Sequence, residues 1–267
     1  MSIHFRKGHG TGNDFIVLAD PDDELALNPA QVAALCHRRT GIGADGLLKA
    51  VRRDGLWFMD YRNADGSFAE MCGNGARVFA TFLKDQGLEV STDFDILTRG
   101  GVVHVSFTEN NTVVVDMGPA VLGDAQPKVV VDNDSWVGKA IFMPNPHCVV
   151  NVNDLREAGT LHEAPQVSPE GIFPDGVNVE FVTSLSDDHI AMRVHERGSG
   201  ETLSCGTGAC AAAVAHKGNN GTWSVQVDVP GGTLFVNRLI NGHITLEGPA
   251  QFTFEGTIDQ QWLESIA

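Results

Sequence analysis

The sequence predicts a mixed α/β fold of two related domains, each a mixed, mostly antiparallel β-sheet wrapped around a central α-helix. Three observations lead there. A short motif occurs twice, as Cys72-Gly73-Asn74-Gly75-Ala76 and Cys205-Gly206-Thr207-Gly208-Ala209, 133 residues apart in a chain of 267. Each copy runs straight into one helix-like segment, Arg77 to Gln86 and Cys210 to Lys217. Much of the remaining sequence is made of short β-branched or alternating stretches bounded by Gly, Asn or Asp, the pattern of strands.

In the first half the strand candidates are Phe15–Ala19, Leu47–Val51, Leu56–Tyr61, Gly101–Phe107 and Thr112–Met117, so most pairing is antiparallel or mixed. Asn28 and Pro29 make an N-cap followed by a first-turn proline, and Val32, Leu35 and Cys36 form the apolar stripe of a helix expected to end near Thr40-Gly41. The helix after the first motif carries Val78, Phe79, Phe82 and Leu83 at helical spacing, with Lys84 and Gly87 closing it. In the second half, strands are expected at Lys139–Met143, His147–Val152, Asn178–Thr183, Ile190–His195, Trp223–Val229, Thr233–Val236, His243–Leu246 and Gln251–Phe254, with a short helix near Asp154–Ala158. The helix after Cys205 is nearly all alanine and lacks a strongly polar face, so strands must pack closely around it. Gly118-Pro119 punctuates the chain near its middle, which divides it into residues 1–118 and 119–267.

The formal net charge is −16, from 34 acidic and 18 basic residues, which disfavours nucleic acid or an anionic membrane surface as a partner. No apolar run is long enough to span a bilayer and the N-terminus lacks a signal-peptide pattern, so a cytoplasmic location is expected. Five cysteines, odd in number and never spaced C-x-x-C, argue against a disulfide framework or a metal site. Cys36 and Cys148 lie in apolar runs as core residues.

Cys72 and Cys205 are different. A cysteine at a helix start meets unpaired backbone N–H groups and the positive end of the helix dipole. Such a site can draw a thiol from its ordinary pKa of about 8.5 to roughly 3.5–7.5, which makes it a usable base. A glycine-rich helix start is also an ordinary phosphate site, but two copies at half-length spacing point elsewhere. Polar loops recur in register too: Asn13 with Asn145, Asp45-Gly46 with Asp175-Gly176, and Asn63 with Glu196, each of the last two nine residues before its cysteine. Matched loops on related domains are expected to face one central cleft. There one thiolate and one thiol could take a proton from one face of a carbon and return it to the other, without metal or redox cofactor. Backbone N–H groups of Gly73, Asn74, Gly206 and Thr207 would stabilise the developing enolate and hold a carboxylate.

Several segments together resemble the diaminopimelate epimerase family: Gly10-Thr11-Gly12-Asn13-Asp14-Phe15, Gly41-Ile42-Gly43-Ala44-Asp45-Gly46, Tyr61 to Ser67, Met71 to Arg77, Asn145-Pro146-His147-Cys148-Val149, Val177-Asn178, Glu196-Arg197-Gly198 and the Cys205 motif. The resemblance implies two pseudo-symmetric α/β domains, with the residues from Phe254 onward returning to the first, and a homodimer. It implies a pyridoxal-phosphate-independent enzyme, with no cofactor, that interconverts LL- and meso-diaminopimelate on the lysine and peptidoglycan route. Cys72 and Cys205 would then be the acid/base pair, with His147 and Glu196 tuning or orienting the reacting end. Asn13, Asn63, Asn145, Asn178 and Arg197 would bind polar groups of the substrate. Two positions depart from the commoner family pattern: Gly46 stands in place of a substrate-contacting Gln, and Pro144 in place of a Gly before Asn145.

Proline or hydroxyproline racemisation, a thiol redox cycle of the two cysteines, and a non-catalytic amino-acid-binding module remain open as other readings of the same residues.

Overall fold

The structure is a computed structural model that describes residues 3–266. The chain divides into two compact units, one formed by the chain up to Val115 together with the segment from Pro249 on, the other running from Asp116 to Gly248.

The first unit contains β1 (Ile3–Gly10), β2 (Asn13–Ala19), α1 (Pro29–Cys36), β3 (Gly46–Arg53), β4 (Leu56–Asn63), α2 (Gly73–Asp85), β5 (Asp93–Thr98), β6 (Gly101–Phe107) and the start of β7 (Val113–Pro119). Its sheet is mixed: β1 pairs antiparallel to β2, β2 parallel to β3, β3 antiparallel to β4, β4 parallel to β5, and β5 antiparallel to β6. Alternation along β2 assigns the two faces. Phe15 meets the first turn of α2 beside Gly75, and α2 buries Val78, Phe79, Phe82 and Leu83. Ile16 and Leu18 point the other way, into a cluster with Val32, Leu35 and Cys36 of α1.

β1 escapes a hydrophobicity-based reading because it is Gly- and charge-rich. It forms nonetheless, with Lys7 buried against Asp14. α1 ends about one turn before Thr40-Gly41, where the sequence places its end. It stops at Cys36, with His37 extended, because the chain folds back on the helix end: Ile42 and Gly43 donate to the Leu35 carbonyl at 2.9 and 3.0 Å. Gly41 permits that return, since a methyl group there would lie 2.0 Å from the Ala34 carbonyl oxygen.

The second unit contains β8 (Val121–Leu122), β9 (Lys128–Val131), β10 (Asp134–Val137), β11 (Lys139–Met143), β12 (Asn145–Asn151), β13 (Gln166–Ser168), β14 (Asn178–Ser186), β15 (His189–Glu196), β16 (Gly200–Thr202), α3 (Gly206–Lys217), β17 (Trp223–Val229), β18 (Gly232–Arg238) and β19 (His243–Gly248). The expected short helix is a single 3-10 turn, Leu155–Ala158, capped reciprocally by Asp154 and Glu157. α3 packs against β11, β12, β14, β15, β17, β18 and β19. Its alanines are fully buried or nearly so, and small side chains are what let so many strands approach one helix. β12 and β14 run parallel with His147 beside Asn178 and Val149 beside Glu180. Cys148, Val179 and Phe181 point to the opposite face, into a cluster with Val129 of the small sheet formed by β10, β9 and β13.

The chain passes from one unit to the other inside β7, which ends at Gly118 (φ 74°) and Pro119. After β19 it returns to the first unit as β20 (Gln251–Ile258), antiparallel to β1, and α4 (Gln260–Glu264), whose Leu263 joins the α1 cluster. Among the described residues no helix is long and apolar enough to cross a membrane.

Gly41→Ala is expected to lower stability by about 1–3 kcal/mol, the usual range for overpacking, read as a lower urea midpoint at unchanged slope. An unchanged midpoint would show that the α1 end does not depend on this close approach.

Candidate active site

Each unit presents its cysteine as the N-cap of its buried helix. In the first unit Cys72 is extended (φ −144°, ψ 119°) and its sulfur accepts from the Gly75 N–H at 3.4 Å. The thiol also lies 3.5 Å from Asn13 Oδ1. That oxygen faces the thiol because Asn13 Nδ2 donates to Asp45 Oδ2 at 2.8 Å. Asn74 Nδ2 reaches the same Asn13 oxygen at 3.5 Å, and Asn74 Oδ1 accepts from Arg77 Nη2 at 2.9 Å. Arg77 is completely buried and also donates to Thr11 Oγ1 at 3.2 Å and to the carbonyls of Gly73 and Pro249, both at 3.4 Å. Arg38 grips Asp14 with both terminal nitrogens and Asp45 with one. Burial works against the Asp14 charge, yet the bonds from Arg38 and Lys7 hold its carboxyl well below the usual carboxylate range. Asn63 is not part of this group: its side chain closes the following turn on Ser67 Oγ at 3.0 Å.

In the second unit Cys205 is likewise extended (φ −114°, ψ 115°), but its side chain is buried and approaches Thr207 Oγ1 at 3.5 Å and Asn178 Nδ2 at 3.9 Å. The Asn178 amide is turned to offer that donor because its oxygen accepts from the Arg197 N–H at 2.9 Å. Arg197 itself donates to the Asp175 carbonyl at 2.7 Å, and Glu196 accepts the Thr202 hydroxyl. His147 Nδ1 is 2.6 Å from Glu180 Oε1 and Nε2 is 3.0 Å from Asn145 Oδ1.

The expected lowering of the thiol pKa does not hold at Cys205. Burial, then the nearby carboxylates of Glu196 and Glu180, push this thiol well above its ordinary range, against the weaker pull of the Thr207 hydroxyl and the Gly208 N–H. Desolvation outweighs the helix end here. Burial also raises the Glu196 carboxyl, with Glu180 adding to it, against bonds to Thr202 and Cys205 and the influence of His147. Among the described residues no group of three or more His, Cys, Asp or Glu is arranged to hold a metal ion.

The sequence profile of the diaminopimelate epimerase family matches residues 5–123 and 139–253, a span that takes in both cysteine-capped helices. The chain belongs to the diaminopimelate epimerase family. It is 49% identical to the diaminopimelate epimerase of Streptomyces coelicolor, over 99% of this chain and 98% of that one. It is 45% identical to that of Corynebacterium glutamicum, over 97% and 99%. Among solved structures, a phenazine biosynthesis protein of the PhzF family from Bacillus anthracis superposes with a TM-score of 0.72 at 16% identity, over 97% of this chain and 99% of that one. A hydroxyproline epimerase from Agrobacterium vitis superposes with a TM-score of 0.68 at 14% identity, over 97% and 94%. Those two likenesses show the shared fold. As a member of the diaminopimelate epimerase family, the chain is an isomerase.

Of the two departures from the family pattern, the one at Gly46 has a local explanation. A Cβ on residue 46 would lie 2.7 Å from the Arg62 carbonyl oxygen and 2.8 Å from the Tyr61 ring, so β3 and β4 leave no space for a side chain there. Pro144 is the single residue joining β11 to β12, at φ 21°, on the side of the map that glycine adopts freely and the pyrrolidine ring resists.

Sequence reasoning assigned no role to Arg77, Asp45 or Glu180. The available signal was a charged side chain in an otherwise apolar register: Arg77 in the first turns of α2, and Glu180 between Val179 and Phe181.

Because its thiol is buried and held protonated, Cys205 is expected to resist iodoacetamide at pH 8.5 while the partly exposed Cys72 is labelled, measured by peptide mass spectrometry of the ligand-free protein. Each unit of pKa above the ambient pH removes about tenfold of the thiolate. Equal, substantial labelling of both at pH 8.5 would overturn the assignment.

Proposed function

We propose that the chain converts LL-2,6-diaminopimelate to meso-2,6-diaminopimelate by a two-base mechanism in which Cys72 and Cys205 serve opposite faces of one α-carbon. The observation that carries this reading is that each unit caps its buried helix with a cysteine, in a chain of the diaminopimelate epimerase family. The reaction calls for no metal or redox cofactor, since one sulfur receives the proton that the other replaces.

The two half-sites suit different parts of that exchange. Cys205, protonated by burial beside Glu196 and Glu180, is the proton donor for the first turnover. Cys72 takes the part of the base, and each return reaction exchanges the roles. The N–H groups of Gly73 and Asn74 on α2 and of Gly206 and Thr207 on α3 belong to helix first turns, which have no intrahelical acceptors. They bind the α-carboxylate and stabilise the negative charge that develops on it as the α-proton leaves. Asn13, Asn63, Asn145, Asn178, Glu196 and Arg197 hold the remaining ammonium and carboxylate groups, and the Arg197 fork suits the distal carboxylate. His147 and Glu196 orient the reacting end. The protein would work as a cytoplasmic homodimer supplying lysine and peptidoglycan precursor synthesis.

The test follows the α-proton. Reduced protein incubated with LL-diaminopimelate in heavy water is expected to exchange the α-hydrogen and form the meso isomer, seen by proton NMR. Cys72→Ala and Cys205→Ala should each cut the rate by about 10²–10⁴-fold, the range for losing a general acid or base. Full activity in either variant would remove the two-base mechanism. Exchange with proline but not with diaminopimelate would replace the substrate.

A further inference from the structure

The second unit buries a carboxylate for which the reaction as described has no use. Glu180 and His147 have no exposed side-chain surface, and they meet at 2.6 Å. The other carboxylate oxygen, Oε2, is buried and has no hydrogen-bond partner. An unbonded buried carboxylate oxygen is destabilising, and an apolar side chain in its place would cost less. What Glu180 does touch is therefore informative. One side is His147. The other is the first turn of α3: a methyl group on residue 208 would lie 2.7 Å from Glu180 Oε1 and 3.3 Å from Cys205 Sγ. The second glycine of the Cys205 motif thus leaves the slot that this carboxylate occupies.

We propose that Glu180 is the positioning residue for His147, holding the imidazole by its Nδ1–H so that Nε2 is the nitrogen turned to Asn145, from a slot that exists because residue 208 is glycine. This rests on the epimerisation reading for its consequence, but the contact itself is a property of the ligand-free protein. A carboxylate can only accept, so Nδ1 carries the hydrogen of this bond. The ring is then fixed in both tautomer and orientation, as a carboxylate fixes a metal-bound histidine. Nε2 is then the nitrogen turned to Asn145, and because the amide oxygen Oδ1 can only accept, Nε2 donates to it at 3.0 Å. Without Glu180 the ring could rotate, and the bond that Nε2–H donates to Asn145 Oδ1 would be lost.

The decisive experiment reads the imidazole directly. In protein labelled with ¹⁵N-histidine, a long-range ¹H–¹⁵N spectrum, with His147 assigned by comparison with His147→Gln, is expected to show Nδ1 protonated. Glu180→Gln should shift or broaden the His147 nitrogens and lower kcat for diaminopimelate by about 10- to 100-fold, with KM changed by less than about threefold, the pattern of an interaction used in the transition state. Gly208→Ala should reproduce the His147 change from the helix side. A wild-type His147 with a bare Nδ1 overturns the proposal, whether or not the variants fold. So does a folded Glu180→Gln protein with wild-type kcat and wild-type His147 signals. Lack of α-hydrogen exchange by the wild-type protein would instead sink the epimerase reading and leave the His147 spectrum to judge the contact on its own.

Discussion

A buried helix must find partners for the N–H groups of its first turn, and in this protein that requirement falls on two helices that start inside their units. Neither α2 nor α3 begins with the Ser, Thr, Asp or Asn that ordinarily caps a helix. Each begins with cysteine followed by glycine. Sulfur is a weak acceptor, and the contacts it makes with its own helix are long: 3.4 Å from the Gly75 N–H to Cys72 and 3.5 Å between Cys205 and the Thr207 hydroxyl. The first turns therefore keep donor capacity that a better cap would consume. Weak capping costs stability, and what it leaves behind is an anion-binding helix start beside a titratable thiol. The rest of each unit surrounds that arrangement: sheets cover the helices, and side-chain amides stand next to the sulfurs.

Those amides differ between the halves. Asp45 turns Asn13 so that it offers an oxygen to Cys72, whereas the Arg197 N–H turns Asn178 so that it offers an NH₂ group to Cys205. The charges differ as well. α2 carries the buried Arg77, bonded to Asn74 and Gly73 next to Cys72, while Cys205 lies among Glu196 and Glu180. Two halves that share a motif thus give their thiols opposite surroundings.

The parts of this design differ in how legible they are. Both motif helices and most strands follow from periodicity and Gly, Asn or Asp punctuation, because they rest on local apolar patterns such as Val78-Phe79-Phe82-Leu83. β1 does not, since Lys7 reads as solvent-exposed until Asp14 is brought to it from the next strand. The small sheet of β9, β10 and β13 and the early end of α1 were also missed, for they depend on contacts distant in sequence or on a backbone return. At the site, the cysteines stood out through duplication. The expected low thiol pKa did not survive at Cys205, because a helix dipole can be inferred from sequence and desolvation by a wrapped sheet cannot. Arg77 and Glu180 stand out in sequence only as charges in apolar registers, and what they and Asp45 do depends on partners that only the fold supplies.

Glycine links these levels more closely than the motif suggests. In the Cys205 motif one glycine opens the helix and the next leaves the slot for Glu180; in the first half Gly46 fills a position where β3 and β4 admit no side chain. A helix of alanines makes the same kind of space on a larger scale, letting seven strands close around α3. Space removed from small residues is filled by polar groups that a tightly packed core would exclude: a buried arginine in one unit, a buried histidine–carboxylate pair in the other. Close packing and a polar interior are usually in conflict. Here small residues at the helix starts reconcile them, and they do so beside the two capping cysteines.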